Sequence, residues 1–296
     1  MTAETFVQRL ALGTAQFGLA YGINNTLGRP TDEVVRDILT DAQAAGISLL
    51  DTAAAYGDSE ARLGAWLHQQ PQQPFQLITK VGAAAPAVVE AAVRASVARL
   101  QRPRVYGVLF HDFEALRRQP DAWQGLLAAQ AAGLTERIGV SLYHPWQAEW
   151  LLERGYQPQL LQVPYNVLDQ RFAPLLPQLA TAGVEVHGRS AFLQGLLLRP
   201  LATLPGFFEA LRPKLAHLQA LLAQTGIPLE AGLLLFAATA PGLARVVIGV
   251  DSPENLRANL AAAAYLTDFG PVRAQLQTLA EPTDTYILPY AWPTPH

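Results

Sequence analysis

The strongest constraint in this sequence is a strict alternation of short apolar runs with longer helix-like segments. The apolar runs are rich in β-branched residues and predict strands over 10–14, 47–51, 75–80, 105–111, 137–141, 160–163, 184–190 and 246–249. Strict strand–helix alternation favours parallel strands, because each helix returns the chain to the same edge of the sheet. Eight such strands in 296 residues predict the α/β class and a closed (β/α)8 barrel, the TIM barrel, rather than an open sheet.

Helices are predicted between the strands, over 31–45, 59–69, 86–100, 121–132, 145–153, 172–182 and 253–263. Thr31 and Ser252 are typical residues for a helix start, and several helices are expected to end at glycine. Those glycines are Gly46, Gly133, Gly155 and Gly183. We expect one domain, 1–296, with a final helix and a proline-rich tail from about 268.

The longest gap between predicted strands, 191–245, contains helical segments at 212–224 and 229–238. A long loop after a late barrel strand can fold over a ligand.

Composition excludes several classes of protein. Half of the residues are hydrophobic and 15% are charged, which is typical of a well-buried globular chain. The net charge is −3 without a basic cluster, which argues against nucleic acid or an anionic membrane as a partner. The chain has no cysteine, so disulfides and thiol catalysis are excluded. No signal-peptide pattern and no membrane-spanning run are seen, so we expect a cytoplasmic protein.

Polar side chains stand at the ends of most predicted strands, where the chemistry of such barrels is located. They are Gly13-Thr14, Asp51, Lys80, His111, Ser141, Gln162, Arg189-Ser190 and Gly249. Seven of these eight ends carry a polar functional group. Because burying such groups without partners is costly, this pattern favours a functional site over a plain scaffold.

Asp51, Tyr56 and Lys80 form the most informative group. A lone lysine after a strand is more often an ordinary exposed residue, but an aspartate on the neighbouring strand can hold the ammonium in its charged form. That cation would make the nearby Tyr56 phenol a usable proton donor and acceptor. We therefore predict that these three residues act together in proton transfer.

His111 ends the next strand and could donate a hydrogen bond to a carbonyl oxygen, although a lone histidine there is often structural. Ser141 and Gln162 could bind a carboxamide, or could instead serve as a helix cap and a buried network. The remaining histidines show no metal-ligand spacing, so no metal site is expected. No Gly-x-Gly-x-x-Gly follows a strand, so the sequence does not support a Rossmann dinucleotide site.

The sequence resembles the aldo-keto reductases from Leu12-Gly13-Thr14-Ala15 to about Ala263. The resemblance depends on Asp51-Thr52-Ala53, Tyr56-Gly57, Ser59-Glu60, Leu63-Gly64, Ile78-Thr79-Lys80, Gly139-Val140-Ser141, Gln162-Val163-Pro164-Tyr165-Asn166, 190–195 and 252–259. It implies a (β/α)8 barrel that binds NADPH or NADH without a Rossmann fold. It also implies reduction of an aldehyde or ketone by hydride from the nicotinamide.

The resemblance assigns roles to individual residues. Tyr56 would be the general acid, Lys80 would tune it, Asp51 would hold Lys80, and His111 would orient the carbonyl. The implied cofactor-binding residues are Gly13, Thr14, Asp51, Ser141, Gln162, Arg189, Ser190, Phe192, Gln194, Gly249, Asn255 and Asn259. Within this set, 190–195 would wrap the pyrophosphate, and 249–259 would face the adenosine.

Three residues depart from the family pattern. Leu142 replaces a common asparagine, and Arg189 replaces an aromatic residue that stacks on the nicotinamide, so its planar guanidinium could stack there or meet a phosphate. Asp251 would repel a 2′-phosphate if it points toward one, and Arg257 could compensate only if it faces inward. NADP(H) is still favoured over NAD(H), from the resemblance alone.

Two other functions remain open at this stage. The first is a cofactor-binding redox sensor without turnover, and the second is a Schiff-base lyase that uses Lys80 as its nucleophile. A small-molecule carbonyl substrate and a monomer are expected. Phe17, Tyr21, Phe113 and Trp146 suggest a partly aromatic pocket, but the substrate itself cannot be read from the sequence.

Overall fold

The computed structural model describes residues 1–23, 25, 28–70, 72 and 75–293. Eight parallel strands close into a barrel in the chain order β1 to β8, as the sequence predicts. The strands are β1 (Leu10–Gly13), β2 (Leu49–Asp51), β3 (Gln76–Val81), β4 (Val105–Phe110), β5 (Thr135–Ser141), β6 (Leu160–Pro164), β7 (Glu185–Arg189) and β8 (Arg245–Gly249). Pairing of β1 with β8 closes the ring.

Helices surround the barrel. They are α1 (Ala3–Gln8), α2 (Ala15–Gly18), α3 (Asp32–Ala45), α4 (Ser59–Gln69), α5 (Pro86–Arg99), α6 (Phe113–Arg118), α7 (Ala122–Ala131), α8 (Pro145–Glu153), α9 (Leu176–Thr181), α10 (Arg212–Thr225), α11 (Leu229–Ala238), α12 (Pro253–Ala261), α13 (Leu266–Gln277) and α14 (Asp284–Ile287). Short 3₁₀ helices cover Leu193–Leu198, Leu201–Thr203, Gly206–Leu211, Ala262–Tyr265 and Pro289–Ala291.

Local sequence signals set several helix ends. The Thr31 hydroxyl accepts a hydrogen bond from the Val34 amide at 3.3 Å and caps α3, as predicted. The same helix ends at Gly46, whose φ of 90° lies in the left-handed region that glycine adopts without strain. Ser252 caps α12 through the Asn255 amide at 3.2 Å.

Some helix predictions were wrong. The helix expected over 172–182 is only α9, because Pro177 lacks an amide hydrogen and fits only the first turn of a helix. The helix expected from about 268 is α13, which begins at Leu266. The short helix α6, capped by the Asp112 side chain, was not predicted. Residues 294–296 of the predicted tail lie outside the described part of the chain.

No single helix in the described ranges is long and apolar enough to cross a membrane. The segments Gly206–Thr225 and Leu229–Ala238 together have the length and apolar composition of a membrane span, but the chain bends by 96° between them. Residues 231–238 of α11 are buried in the fold.

Inside the barrel, an apolar layer separates two polar layers. Ala11, Leu49, Ile78, Leu109 and Leu160 form this layer, and all five are fully buried. Polar residues toward the carboxyl ends of the strands lie above it and form the cavity described below. A second polar cluster lies toward the amino ends of the strands.

The lower cluster is centred on Glu185. Its carboxylate accepts hydrogen bonds from the Tyr106 hydroxyl at 2.5 Å and contacts His187 Nε2 at 2.6 Å. Arg137 lies 3.2 Å from the same carboxylate. Burial alone would raise the pKa of Glu185, but the hydrogen bonds from His187 and Tyr106 and the charge of Arg137 lower it to about 2.

We predict that Glu185 makes stability depend on acid pH. Since its folded pKa of about 2 lies below the ordinary 4.5, the ionised carboxylate stabilises the fold above pH 4.5. This contribution, about 1–3 kcal/mol, should be lost as the pH falls from 4.5 toward 2. The free energy of unfolding in urea should be measured at pH 7, 5, 4 and 3. Glu185→Gln should weaken its dependence on acid pH, whereas Glu149→Gln, at an exposed position of α8, should not. An unchanged slope in Glu185→Gln would contradict the prediction.

Candidate active site

The carboxyl ends of the strands and their following loops enclose a cavity of about 630 Å³. Most of the predicted site residues line it: Gly13, Thr14, Asp51, Tyr56, His111, Ser141, Gln162, Arg189, Ser190, Phe192, Gln194, Gly249 and Asn255. Lys80 and Asn259 do not line it. Lys80 is 1% exposed and lies below the surface of the cavity, and Asn259 is buried on α12. A cavity of this size is typical of small-molecule and cofactor sites.

A buried ion pair lies at the base of the cavity. Lys80 Nζ is 2.5 Å from Asp51 Oδ1 and also donates to the Thr52 carbonyl oxygen at 3.0 Å. The other carboxylate oxygen of Asp51 accepts a hydrogen bond from the Gln162 amide nitrogen at 2.8 Å. Parallel pairing of β2 with β3 places Asp51 and Lys80 on neighbouring strand ends. Both charges are therefore held by fixed partners, as a buried pair requires.

The surroundings keep Lys80 charged. Burial by itself lowers the pKa of the ammonium, but the Asp51 charge, the adjacent Tyr56 and the hydrogen bond to Asp51 outweigh the burial, so the pKa is raised. A charged ammonium is a poor nucleophile but a strong local source of positive potential. This potential acts on Tyr56, because Lys80 Nζ lies 5.2 Å from the centre of its ring.

Tyr56 is carried by a tight turn between β2 and α4. Its amide donates to the Ala53 carbonyl at 3.0 Å, and Gly57 follows with a φ of 55°. The turn packs directly on Gly18 of α2, where an added Cβ would lie 1.8 Å from the Tyr56 carbonyl oxygen. Only glycine fits at that approach, and the close packing fixes the position of Tyr56 in the wall of the cavity.

His111 lies beside Tyr56 in the same cavity. The two rings meet edge to face with their centres 5.5 Å apart. Burial, followed by the charge of Lys80, lowers the pKa of His111 to about 4, although Asp51 opposes this. The imidazole is therefore neutral at pH 7 and carries one N–H donor. Tyr56 and His111 together offer two hydrogen-bonding groups to one polar atom of a ligand.

The loop after β7 contributes unusual backbone to the wall of the cavity. Ser190, Leu193 and Gln194 have φ values of 62°, 48° and 53°, and Gly195 follows at 95°. Non-glycine residues rarely adopt this left-handed conformation, and each costs about 1–3 kcal/mol. Such strain concentrates at ligand-binding sites, where the surrounding structure maintains it.

Asp251 and Asn255 line the far end of the cavity, near the loop that follows β8. The Asn255 amide donates to the Asp251 carboxylate. Arg257 does not line the cavity, because its guanidinium pairs with Asp41 at 2.8 Å and Glu254 at 2.5 Å. The far end of the cavity therefore presents a carboxylate, and Arg257 does not compensate for it.

Several lining residues were not predicted, among them Gln16, Tyr143 and Tyr290. Tyr143 lies two residues after the end of β5. Its position in a loop after a strand could therefore have predicted that it lines the cavity. Tyr290 comes from the tail, and its ring meets Tyr143 edge to face at 4.8 Å. Nothing in its local sequence indicates this contact, which depends on how the tail folds back.

The expected aromatic pocket residues are only partly correct. Tyr21 lines the cavity, but Phe17 and Phe113 are buried in the hydrophobic core. Trp146 is exposed on α8 and packs against Phe113 with ring centres 5.4 Å apart. Their position in or next to loops after the strands suggested a pocket, but the folding of those loops turns Phe17 and Phe113 into the core and Trp146 to the surface.

In the described ranges, no group of three or more His, Asp or Glu side chains could hold a metal ion. His296 lies outside those ranges.

An alternating barrel with a polar cavity at the carboxyl ends of its strands defines a (β/α)8 enzyme scaffold. The sequence profile of the aldo/keto reductase family matches residues 9–268, so the chain belongs to this family. It is an oxidoreductase family, and its members reduce carbonyl compounds.

Relatives agree with this assignment. The chain is 27% identical to a D-threo-aldose 1-dehydrogenase from a Pseudomonas species, over 86% of this chain and 91% of that protein. It is 29% identical to an uncharacterized oxidoreductase from Mycobacterium bovis, over 87% and 84% of the two chains. The holo form of an aldo-keto reductase from Bacillus halodurans shares the fold, with a TM-score of 0.75, 24% identity and 93% of each chain covered.

We predict that loss of one partner of the ion pair destabilises the fold, because the other charge is then left buried without a counter-charge. Lys80→Met leaves the Asp51 carboxylate buried without its counter-charge, which should lower the free energy of unfolding at pH 7 by about 3–5 kcal/mol. The double variant Lys80→Met/Asp51→Asn removes the orphaned charge and should recover a large part of that loss. Urea unfolding of both variants measures the effect. A double variant no more stable than Lys80→Met would contradict the assignment.

Proposed function

We propose that the protein reduces an aldehyde or ketone to an alcohol with hydride from NAD(P)H, and that Tyr56 is the general acid. The observation that carries this proposal is the buried Asp51–Lys80 pair directly below Tyr56, with neutral His111 beside it. A phenol next to a fixed ammonium is suited to give a proton to a developing alkoxide.

The residues of the cavity fit a nicotinamide dinucleotide. Ser141 and Gln162 supply a hydroxyl and an amide near the Tyr56 end, and the Gln162 carbonyl oxygen is left available because its nitrogen is bound to Asp51. The left-handed stretch from Ser190 to Gly195 follows along the same wall, and Gly249 and Asn255 lie beyond it. We propose Gly13, Thr14, Phe192 and Gln194 as further contacts. Asn259 supports α12 without lining the cavity.

In the proposed reaction, the bound nicotinamide supplies the hydride. Tyr56 donates its hydroxyl proton to the carbonyl oxygen of the substrate as negative charge builds on that oxygen. Lys80 stabilises the resulting phenolate, and Asp51 keeps Lys80 in place. His111 donates its N–H to the same oxygen and sets the angle of the carbonyl. Its low pKa keeps this role independent of pH above about 5.

The Schiff-base alternative has little support. A nucleophilic lysine needs a lowered pKa and access to the substrate. Lys80 has a raised pKa and does not line the cavity. The redox-sensor alternative shares the cofactor site with the reductase proposal and differs from it only in turnover.

Tyr56→Phe tests the reductase proposal directly. Removal of the hydroxyl should lower turnover of a probe such as 4-nitrobenzaldehyde by about 10²–10⁴-fold, because the proton donor is lost. Cofactor affinity, measured by quenching of the fluorescence of the five tryptophans, should change less than about twofold.

Tyr156→Phe, in an aromatic cluster outside the cavity, is the matched control and should keep its turnover. Near-wild-type turnover by Tyr56→Phe would refute the role of Tyr56. Saturable cofactor binding by the wild type without turnover of any aldehyde or ketone would favour the sensor.

The choice between the two cofactors depends on the far end of the cavity. The resemblance favours NADP(H), and we retain it as the expectation from the family. Asp251 opposes it, because a carboxylate accepts hydrogen bonds from a ribose 2′-hydroxyl and repels a 2′-phosphate. Arg257 is paired elsewhere and does not offset this charge.

We predict that Asp251→Ala shifts the preference toward NADPH. Removal of the carboxylate should lower the Kd for NADPH relative to that for NADH by about tenfold, or about 1.4 kcal/mol. Fluorescence titrations with both cofactors, and with 2′,5′-ADP and ADP, measure the ratio without any turnover. Arg257→Ala is the control and should leave the ratio unchanged. A selective loss of NADPH affinity in Arg257→Ala would show instead that Arg257 reaches the cofactor.

We propose a small-molecule carbonyl compound as the partner. The name of the Pseudomonas relative makes a D-threo-aldose one compound to test, in the direction of oxidation. The monomeric state and the cytoplasmic location stay predictions.

A further inference from the structure

Arg189 presents a cation to the cavity beside the proposed proton donor. It stands at the end of β7, and its side chain lines the cavity together with Tyr56 and His111. Its charge contributes to the lowered pKa of His111, after the larger effects of burial and Lys80. The guanidinium is therefore close enough to act on a ligand held at the reaction centre.

The guanidinium is held in one orientation. Its Nη2 donates to the Leu142 carbonyl oxygen at 3.1 Å, and its Nη1 donates to the Ser190 hydroxyl at 3.3 Å. The planar group lies over the Tyr143 ring, 4.2 Å from its centre, and Tyr290 supports that ring from the side. An arginine fixed by stacking and by two hydrogen bonds is preorganised to bind a planar anion.

No carboxylate within the described residues forms an ion pair with Arg189. The cavity contains two acidic side chains, but Asp51 is already paired with Lys80, and Asp251 bonds to Asn255 at the other end. Arginine carries five N–H donors, and the hydrogen bonds to Leu142 and Ser190 use two of them. Donors therefore remain for a ligand.

Arg189 faces an aromatic part of the cavity wall. Its hydrogen bond to Leu142 draws the guanidinium toward the loop after β5. There the cavity is walled by Tyr143 and Tyr290, whose rings fit an organic ligand better than a phosphate chain.

We propose that Arg189 binds an anionic carboxylate on the substrate, so that the preferred substrates are aldehydes or ketones that carry a carboxylate. This proposal rests on the carbonyl reduction proposed above. The carbonyl oxygen lies at Tyr56 and His111, and the carboxylate meets the guanidinium in a planar, charge-assisted contact. The products are the corresponding hydroxy acids.

The test compares substrates that differ only in charge. The first pair is 4-carboxybenzaldehyde and methyl 4-formylbenzoate, and the second pair is succinic semialdehyde and its methyl ester. Wild type should favour the acid of each pair in kcat/KM. Arg189→Met removes the charge and should lower kcat/KM for the acids about 10- to 100-fold, with less than about threefold change for the esters. Arg189→Lys keeps the charge and should retain part of the preference.

Arg154→Met is the matched control. Arg154 lies over the Trp150 ring at 4.4 Å in the same kind of stacked contact, but outside the cavity. It should leave the acid-to-ester ratio at the wild-type value. Circular dichroism and thermal unfolding establish that each variant is folded, and tryptophan quenching gives the Kd of NADH and NADPH for each.

The outcomes separate this proposal from the one on which it rests. Equal losses for acid and ester in Arg189→Met, together with weaker cofactor binding, would assign Arg189 to the cofactor phosphates and overturn the proposal. Wild type that reduces the esters at least as well as the acids would also overturn it, while leaving the reductase function intact. Absence of turnover with all four compounds would refute the reductase function for aldehydes, and this proposal with it.

Discussion

Closure of the barrel is the constraint on which the rest of the molecule depends. Pairing of β8 with β1 brings the ends of all eight strands into one ring, although β1 and β8 are more than two hundred residues apart in the chain. The alternating direction of side chains along each strand then points every second residue into the ring. Asp51 and Lys80 meet through the pairing of β2 with β3, but Gln162 on β6 reaches Asp51 only because the ring is closed.

Two polar layers inside the ring carry different consequences. In the lower layer, the Glu185 carboxylate is bonded to Tyr106 and His187, although His187 Nδ1 has no partner within the described residues. The upper layer holds a charged pair below an open cavity, an arrangement that costs desolvation energy and is retained where chemistry needs it. Five buried apolar residues lie between the layers. The same scaffold can therefore stabilise the fold at one end and hold reactive groups at the other.

The sequence predicted the strands well and the helices less evenly. Each strand was predicted to within a few residues. Short β-branched runs bounded by turn residues are typical of strands and are too short for helices. α9 was overestimated because the apolar periodicity continues through residues that Pro177 excludes from the helix. In the site, the strand-end residues were predicted because their position relative to the strand is local information. The contact of Tyr290 with Tyr143 was missed because it joins the tail to the β5 loop.

The sequence by itself determined the alternation of strand and helix, the barrel class and the polar groups at the strand ends, since each follows from local pattern and from motifs. The tertiary structure alone decided which of those groups face the cavity and which are paired elsewhere. Lys80 lies below the cavity surface, Asn259 lies outside it, and Arg257 is turned toward Asp41. The orientation of a side chain at a loop or a helix start depends on contacts between distant segments, and no local pattern records those contacts.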